Sequence, residues 1–179
     1  MTSTSKSKKN NPSRSTARLL AVQALYEMDA TGIESGPVIK EFADKRWENI
    51  LTLDDDNIGS TPEKLKKPNH EFMIQIIEGM WANRQTVDAL INDRLNGEWT
   101  VPRLEAVLRA ILRAGTYELD QVLDIPARVV VNEYVQIADA FFDGSEVKLA
   151  NAVLDKLAHD LRPDEMTVKS TAPVPNQEQ

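Results

Sequence analysis

Apolar residues recur at α-helical spacing along most of this 179-residue chain, and this periodicity restricts the fold more than any other feature of the sequence. The clearest stripe follows Ala17 and contains Leu20, Ala21, Ala24, Leu25 and Met28. The opposite side of the same helix carries Leu19, Val22 and Tyr26. The pattern predicts a helix of about 15 residues with two apolar faces, capped by Ser13 or Ser15 and packed from both sides at the centre of the fold.

The same periodicity, with start and stop residues, predicts the remaining helices. One helix begins at Pro37, a long one runs from Asn69 to Gly97, and another opens at Thr100 and Pro102. The segment 124–141 contains a β-branched run at 129–131, but its helical period continues beyond that run, which favours a helix over a strand. A last helix starts near Ser145. The predicted fold class is all-α, with two small helical bundles that share one core.

Two segments interrupt this pattern, and they set the predicted domain boundaries. Residues 52–68 combine the acidic run 54–56 with Gly, Pro and several lysines, which predicts a mobile loop. The acidic run lacks the spaced ligands of a calcium loop, so no metal site is predicted. We expect a flexible basic arm at 1–13, a helical domain at 14–161 divided into bundles at 14–97 and 98–161, and a flexible tail at 162–179.

Charge is divided sharply at Arg18. The first eighteen residues hold five Lys or Arg residues and no acid, a charge of +5, whereas the remaining 16 bases and 28 acids give −12. A cationic arm on an acidic body is typical of a protein whose arm meets a polyanion, so nucleic acid is the first partner to test. The alternative is that the arm, rich in Ser, Thr, Asn and Lys, is a solvated tail without a ligand.

The residue types needed for catalysis are scarce. Cys is absent, which excludes disulfides, thiolate metal sites and Cys nucleophiles. His70 and His159 belong to no metal-binding pattern, and the sequence contains no Gly-rich phosphate loop and no nucleophile motif. A binding protein without a cofactor is therefore favoured over an enzyme. Neither a signal peptide nor a membrane span is predicted, which favours the cytoplasm.

Four segments resemble the NusB family of transcription antitermination factors. In chain order they are ARLLAVQALYEMD (17–29), RLEAVLRAILRAGTYEL (103–119), DIPARVVVNEYVQIADAF (124–141) and NAVLDK (151–156), and the resemblance extends over residues 14–161. It implies two helical bundles packed roughly perpendicular to each other. It also implies a non-catalytic protein that pairs with NusE, a small-ribosomal-subunit protein, and binds boxA RNA of ribosomal RNA transcripts. Such a complex lets RNA polymerase pass terminators.

The resemblance also implies which residues bind these partners. RNA contacts carry over to the start of the first helix and to Lys148 near the start of the last, and the charge argument adds the lysines of the arm. The complete set is Lys6, Lys8, Lys9, Arg14, Ser15, Thr16, Arg18 and Lys148. The NusE contact is assigned to Glu105 and Arg109.

The sequence departs from the family pattern at several of these positions. Ser15 and Thr16 stand where consecutive Arg are common, Leu108 where an acid is frequent, and Leu149 where an aromatic residue could stack on a base. Two alternatives stay open: a helical scaffold that binds only protein, and an RNA-binding module like that fused to some ribosomal RNA methyltransferases. The chain has no residues left for the cofactor fold of such an enzyme.

Overall fold

The described residues of the chain are mainly helical. The computed structural model describes residues 13–42, 66–97 and 99–167. Its α-helices are α1 (Arg14–Thr31), α2 (Ser35–Glu41), α3 (His70–Ala82), α4 (Arg84–Asn92), α5 (Ala106–Gln121), α6 (Ala127–Phe141), α7 (Ser145–Leu161) and α8 (Pro163–Thr167). Within these ranges the only β-type pairing is an isolated parallel bridge between Ser13 and Pro68. The predicted all-α class is confirmed.

Helix α1 lies at the centre of the fold. Ser13 caps it, because its Oγ accepts a hydrogen bond from the Thr16 amide at 3.1 Å, and Gly32 ends it in the left-handed region with φ 70°. The helix packs mainly against α3 and α5 and also contacts α2 and α6. Both predicted apolar faces are used, since Leu20 and Val22 are each 1% exposed.

Helix α5 is the second central element, and residues 110–119 are buried without interruption. Gly115 permits its close approach to α6 and α7. A Cβ atom at this position would lie 2.9 Å from Leu154 Cδ2 and 3.1 Å from Tyr134 Cδ2. A single buried cluster extends from Ala17 in α1 to Met166 in α8. The division into bundles at residue 97 stays a prediction.

Two predicted helix boundaries were wrong. The long helix from Asn69 is interrupted at Asn83, whose backbone amide and side-chain amide both donate to the Gly79 carbonyl, at 3.1 Å and 2.8 Å. The helix expected from Pro102 begins only at Ala106, after a 3₁₀ turn at Val101–Arg103. Glu105 is its N-cap, and its carboxylate accepts from the amides of Val107 and Leu108.

The predicted tail also begins too early. Residues 163–167 form α8, and Arg162 is 5% exposed. Its guanidinium donates at 2.7 Å to the Leu119 carbonyl in the last turn of α5 and at 2.6 Å to the Ile125 carbonyl beyond that helix. Glu165 accepts from the Ala127 amide at 2.7 Å, which caps α6. The segment is ordered because it satisfies helix-end groups that would otherwise be buried without partners. The acidic run 54–56, the second helix beyond Phe42 and residues 168–179 lie outside the described residues.

Candidate nucleic-acid interface

Arg14 presents a cation at the start of α1. Its side chain is 48% exposed, and its guanidinium lies 5.1 Å from the centroid of the Phe72 ring. Its Nη2 is 3.4 Å from Asp124 Oδ2, but that carboxylate is 66% exposed. Exposed pairs of this kind contribute little stability, so Asp124 competes only weakly with an external anion for Arg14. The aromatic ring supports the guanidinium while leaving it open to solvent.

The start of α1 is joined to the segment 66–69 by the backbone. The Ser13 amide donates to the Lys67 carbonyl at 2.7 Å, and the Asn69 amide donates to the Ser13 carbonyl at 3.1 Å. Lys66 and Lys67 are both exposed there. In the sequence, both belong to the lysines of the predicted loop 52–68. Pro68 and Asn69, the N-cap of α3, were the signal that the loop had ended.

Arg18 is not on the surface, which corrects the placement expected from the sequence. Its side chain is 3% exposed, and its Nε donates to Glu118 Oε2 at 2.9 Å and to Oε1 at 3.2 Å. Glu133 lies 3.2 Å from Arg18 Nη1, and Tyr134 donates its hydroxyl to Glu118 at 2.9 Å. These contacts connect α1, α5 and α6 in the interior and leave the guanidinium no open side for a phosphate.

The electrostatics of this cluster keep Arg18 charged. Burial alone would lower the pKa of Arg18, but the hydrogen bonds and charge of Glu118, with further help from Glu133, outweigh that effect and raise the pKa. Burial, together with the neighbouring charge of Glu118, holds the pKa of Tyr134 well above its ordinary value. Tyr134 therefore remains a neutral hydrogen-bond donor to Glu118.

The other residues predicted at the start of α1 differ in exposure. Ser15 is exposed, as expected for a phosphate contact. Thr16 is 4% exposed, so its predicted surface position is also corrected. It is buried because α1 uses both of its apolar faces and Thr16 lies one position before Ala17, at the edge of the core. Lys6, Lys8 and Lys9 lie outside the described residues.

Lys148 is exposed in the first turn of α7, far from Arg14. Arg14 lies beside Asp124, just before α6, whereas the Lys148 amide donates to Gly144, just after α6. Helix α6 contains 15 residues, so at 1.5 Å per residue these two ends are about 22 Å apart. One RNA molecule that contacts both cations must be extended along the protein.

A shallow hollow lies beside the start of α7, next to Lys148. Apolar residues and two acids line it: Trp99, Leu104, Leu108, Leu149, Glu105 and Glu146. Trp99 is 55% exposed. In the sequence, Leu149 stands where an aromatic residue could stack on a base, and the fold brings Trp99 to the same hollow. No pattern along the chain could have shown this, because the two residues are 50 positions apart.

Glu105 and Arg109, the predicted NusE contacts, both have intramolecular partners. Glu105 caps α5, and Arg109 Nη2 lies 2.7 Å from Asp29 Oδ2 and donates through Nη1 to the Leu104 carbonyl at 2.9 Å. Asp29 also pairs with Arg113, which in turn pairs with Asp88 of α4. These contacts hold the end of α1 and the start of α5 together. Direct contact of Glu105 and Arg109 with a partner stays a prediction.

A second groove, which we call the aromatic groove, lies between α1, α5 and α6. Its lining residues are Val22, Gln23, Tyr26, Val107 and Phe141. Tyr26 and Phe141 are 41% and 46% exposed. Gln23 Oε1 is buried and accepts no hydrogen bond within the described chain. The groove therefore offers apolar surface together with one unused acceptor.

Neither a metal site nor a membrane helix is found in the part of the chain that the structure describes. There, no three His, Cys, Asp or Glu side chains are placed to hold a metal ion together. No helix in this part is both long and apolar enough to cross a membrane.

Comparison with known proteins identifies the family. The sequence model of the NusB family matches residues 15–159. The chain is 40% identical over 152 residues to the transcription antitermination protein NusB of Maricaulis maris, an alignment that covers 85% of this chain and 89% of the relative. This chain belongs to the NusB family. The NusB protein of Caulobacter vibrioides is 42% identical over 149 residues, which cover 83% of this chain and 94% of that protein.

Solved structures of NusB proteins share the fold. The NusB structure from T. maritima superposes with a TM-score of 0.69 at 24% identity and covers 88% of this chain and 99% of its own. A chain from a crystal structure of the antitermination factors NusB and NusE in complex with dsRNA superposes with a TM-score of 0.62 at 25% identity, covering 82% and 96%. The NusB fold is therefore present over most of the chain.

Proposed function

We propose that this chain is a transcription antitermination factor that pairs with NusE and binds boxA RNA of ribosomal RNA transcripts. In that complex it lets RNA polymerase pass terminators. The observation that carries the proposal is the match to antitermination proteins along almost the whole helical domain. A NusB of the same fold has been crystallised with NusE and RNA. The role we propose is non-catalytic. It belongs in the cytoplasm, where bacterial transcription takes place.

The distribution of charge supports RNA as the ligand. The cationic arm joins the fold at Ser13, directly before the exposed Arg14, and Lys148 adds a cation beyond the other end of α6. Phosphate contacts of this kind position RNA without reading its sequence. Base recognition then requires an aromatic or polar surface between the cations or on NusE.

The aromatic groove supports protein binding. Exposed Tyr and Phe are typical of the residues that dominate protein interfaces. An amide of NusE that donated to Gln23 Oε1 would satisfy an acceptor that is otherwise buried without a partner. We therefore assign the NusE contact to this groove, next to the α5 start that carries Glu105 and Arg109.

Transcription in vitro tests the proposed function. A template with a boxA element upstream of a terminator is transcribed in a NusB-depleted extract of the source bacterium, with NusE present. Adding the chain should increase read-through. A template with a scrambled boxA should show no increase, and this control separates RNA recognition from a general effect on polymerase. Equal read-through with and without the chain would contradict the proposed function.

A further inference from the structure

We propose that Lys66 and Lys67 form an additional RNA-binding element beside Arg14, in which each ammonium group neutralises a phosphate. We call this pair the lysine element. The inference rests on the proposed function, since it extends the RNA surface of the same protein. Neither the family resemblance nor the charge pattern of the arm assigns these residues.

The backbone fixes the position of the lysine element. The Ser13 amide donates to the Lys67 carbonyl at 2.7 Å, the Asn69 amide donates to the Ser13 carbonyl at 3.1 Å, and Pro68 forms a parallel bridge with Ser13 and is buried. Ser13 also caps α1. The segment is thus held to a rigid helix end, and its lysines stay beside Arg14 without using their side chains for that purpose.

The two lysines keep their charge available for a ligand. Both are exposed, and neither has an ion pair with another described residue. Several arginines of the fold differ in this respect, because Arg18, Arg109 and Arg113 are each paired with internal carboxylates. Glu63 precedes Lys66 by three residues in the sequence. Among the described residues, the nearby acids are Glu71, which is exposed on α3, and Asp124, which faces Arg14. Neither acid neutralises Lys66 or Lys67.

The arm enters the fold at the same point. Residues 1–12 carry Lys6, Lys8 and Lys9 and lead directly into Ser13, whose amide is bonded to Lys67. Arg14 and the lysine element, about fifty residues apart in sequence, therefore lie side by side on an otherwise acidic protein. Such a concentration of positive charge favours a continuous polyanion over a single acidic side chain. This favours RNA as the ligand of the element rather than a protein.

The test is the salt dependence of RNA binding. The affinity of the full chain, with NusE, for fluorescent boxA RNA is measured over a range of salt concentrations. If both lysines neutralise a phosphate, K66Q/K67Q should make the slope of log K against log salt shallower by about 1.4, from about 0.7 per phosphate of single-stranded RNA. K66R/K67R should retain the wild-type slope because it keeps both charges.

The matched control removes the same charge elsewhere. Lys40 on α2 and Lys156 on α7 are exposed, and K40Q/K156Q should leave the slope unchanged. All variants should unfold at the wild-type denaturant concentration, since only exposed side chains change. If the wild type binds RNA tightly and K66Q/K67Q shows the same salt slope as the wild type, this inference is overturned and the proposed function stands. The inference is also overturned if K66Q/K67Q no longer binds NusE in the absence of RNA while the salt slope of its RNA binding is unchanged. Absence of wild-type RNA binding would overturn both.

Discussion

Arg18 of α1 and Glu118 of α5 form a buried ion pair, with Arg18 Nε 2.9 Å from Glu118 Oε2 and the two side chains 3% and 0% exposed. Tyr134 of α6 donates to the same carboxylate. The pair therefore joins the helix that follows the arm to two helices of the second half of the chain. An arginine in the basic N-terminal region thus has an internal structural role, while its neighbour Arg14 faces solvent.

Arg18→Ala should lower the free energy of unfolding. Buried Glu118 would lose its cation and keep only Tyr134 as a donor, and removing one partner of a buried pair typically costs about 3 to 5 kcal/mol. The free energy of unfolding in urea measures this. The control is Arg14→Ala, which should stay within about 1 kcal/mol of the wild type because its pair is exposed. Equal stability of the two variants would contradict the structural role of Arg18.

Asp29 makes part of the stability depend on pH. Its burial would raise the pKa of its carboxyl, but hydrogen bonds from Arg109 and Arg113 and their charges lower the pKa overall. A lowered pKa in the folded state gives stability that is present above the unfolded value of about 3.9 and is lost as the pH falls through the folded value. Asp29→Asn should therefore destabilise the protein at pH 7 by about 1 to 3 kcal/mol. The difference from the wild type should shrink below about pH 4; a constant difference from pH 7 to pH 3 would be inconsistent with this ion pair.

Gly115 should tolerate no larger side chain. The Cβ of Gly115→Ala would press on Leu154 and on Tyr134, and Tyr134 is held by its bond to Glu118. We expect a loss of about 1 to 3 kcal/mol from overpacking, measured by urea unfolding. Gly36→Ala is the matched control, because nothing lies within 4 Å of a Cβ at that helical position. It should be neutral or slightly stabilising, so equal losses in both variants would rule out the packing explanation.

The aromatic groove can be tested separately from RNA. Phe141→Ser removes an exposed apolar side chain and should weaken NusE binding about tenfold, the effect of losing about 1.4 kcal/mol at an interface. Leu123→Ser is the control, since Leu123 is 71% exposed and lies outside the groove. Isothermal titration with purified NusE measures both. Equal NusE affinity of Phe141→Ser and the wild type would exclude the groove as the docking surface.

The sequence was sufficient to predict the helices because their apolar periods are local. It located α1 and gave Ser13 as one of two candidate caps, and both depend on residues close together in the chain. The Thr100–Pro102 signal was misread because a Pro-containing start also fits a 3₁₀ turn. The interruption at Asn83 coincides with a side-chain hydrogen bond to Gly79, which no apolar pattern indicates.

The site was harder to predict than the fold because exposure depends on distant partners. Arg18 pairs with a residue 100 positions away, so its positive charge in the sequence gave no sign of burial. One local signal did exist: a helix with two apolar faces has little solvent-facing surface, and Arg18 borders both faces. Lys66 and Lys67 show the converse case, in which a backbone pairing with Ser13 brings residues from a supposed loop to the candidate RNA surface.

RNA recognition in the presence and absence of NusE tests the central claim most directly. The dissociation constants of the chain for boxA RNA and for a scrambled RNA of the same length are measured by fluorescence anisotropy, with and without NusE, at low and moderate salt. We expect salt-sensitive binding to both RNAs by the chain alone, and a preference for boxA that grows by about tenfold or more when NusE is added. No detectable RNA binding at low salt, or equal affinity for both RNAs with NusE present, would contradict the account.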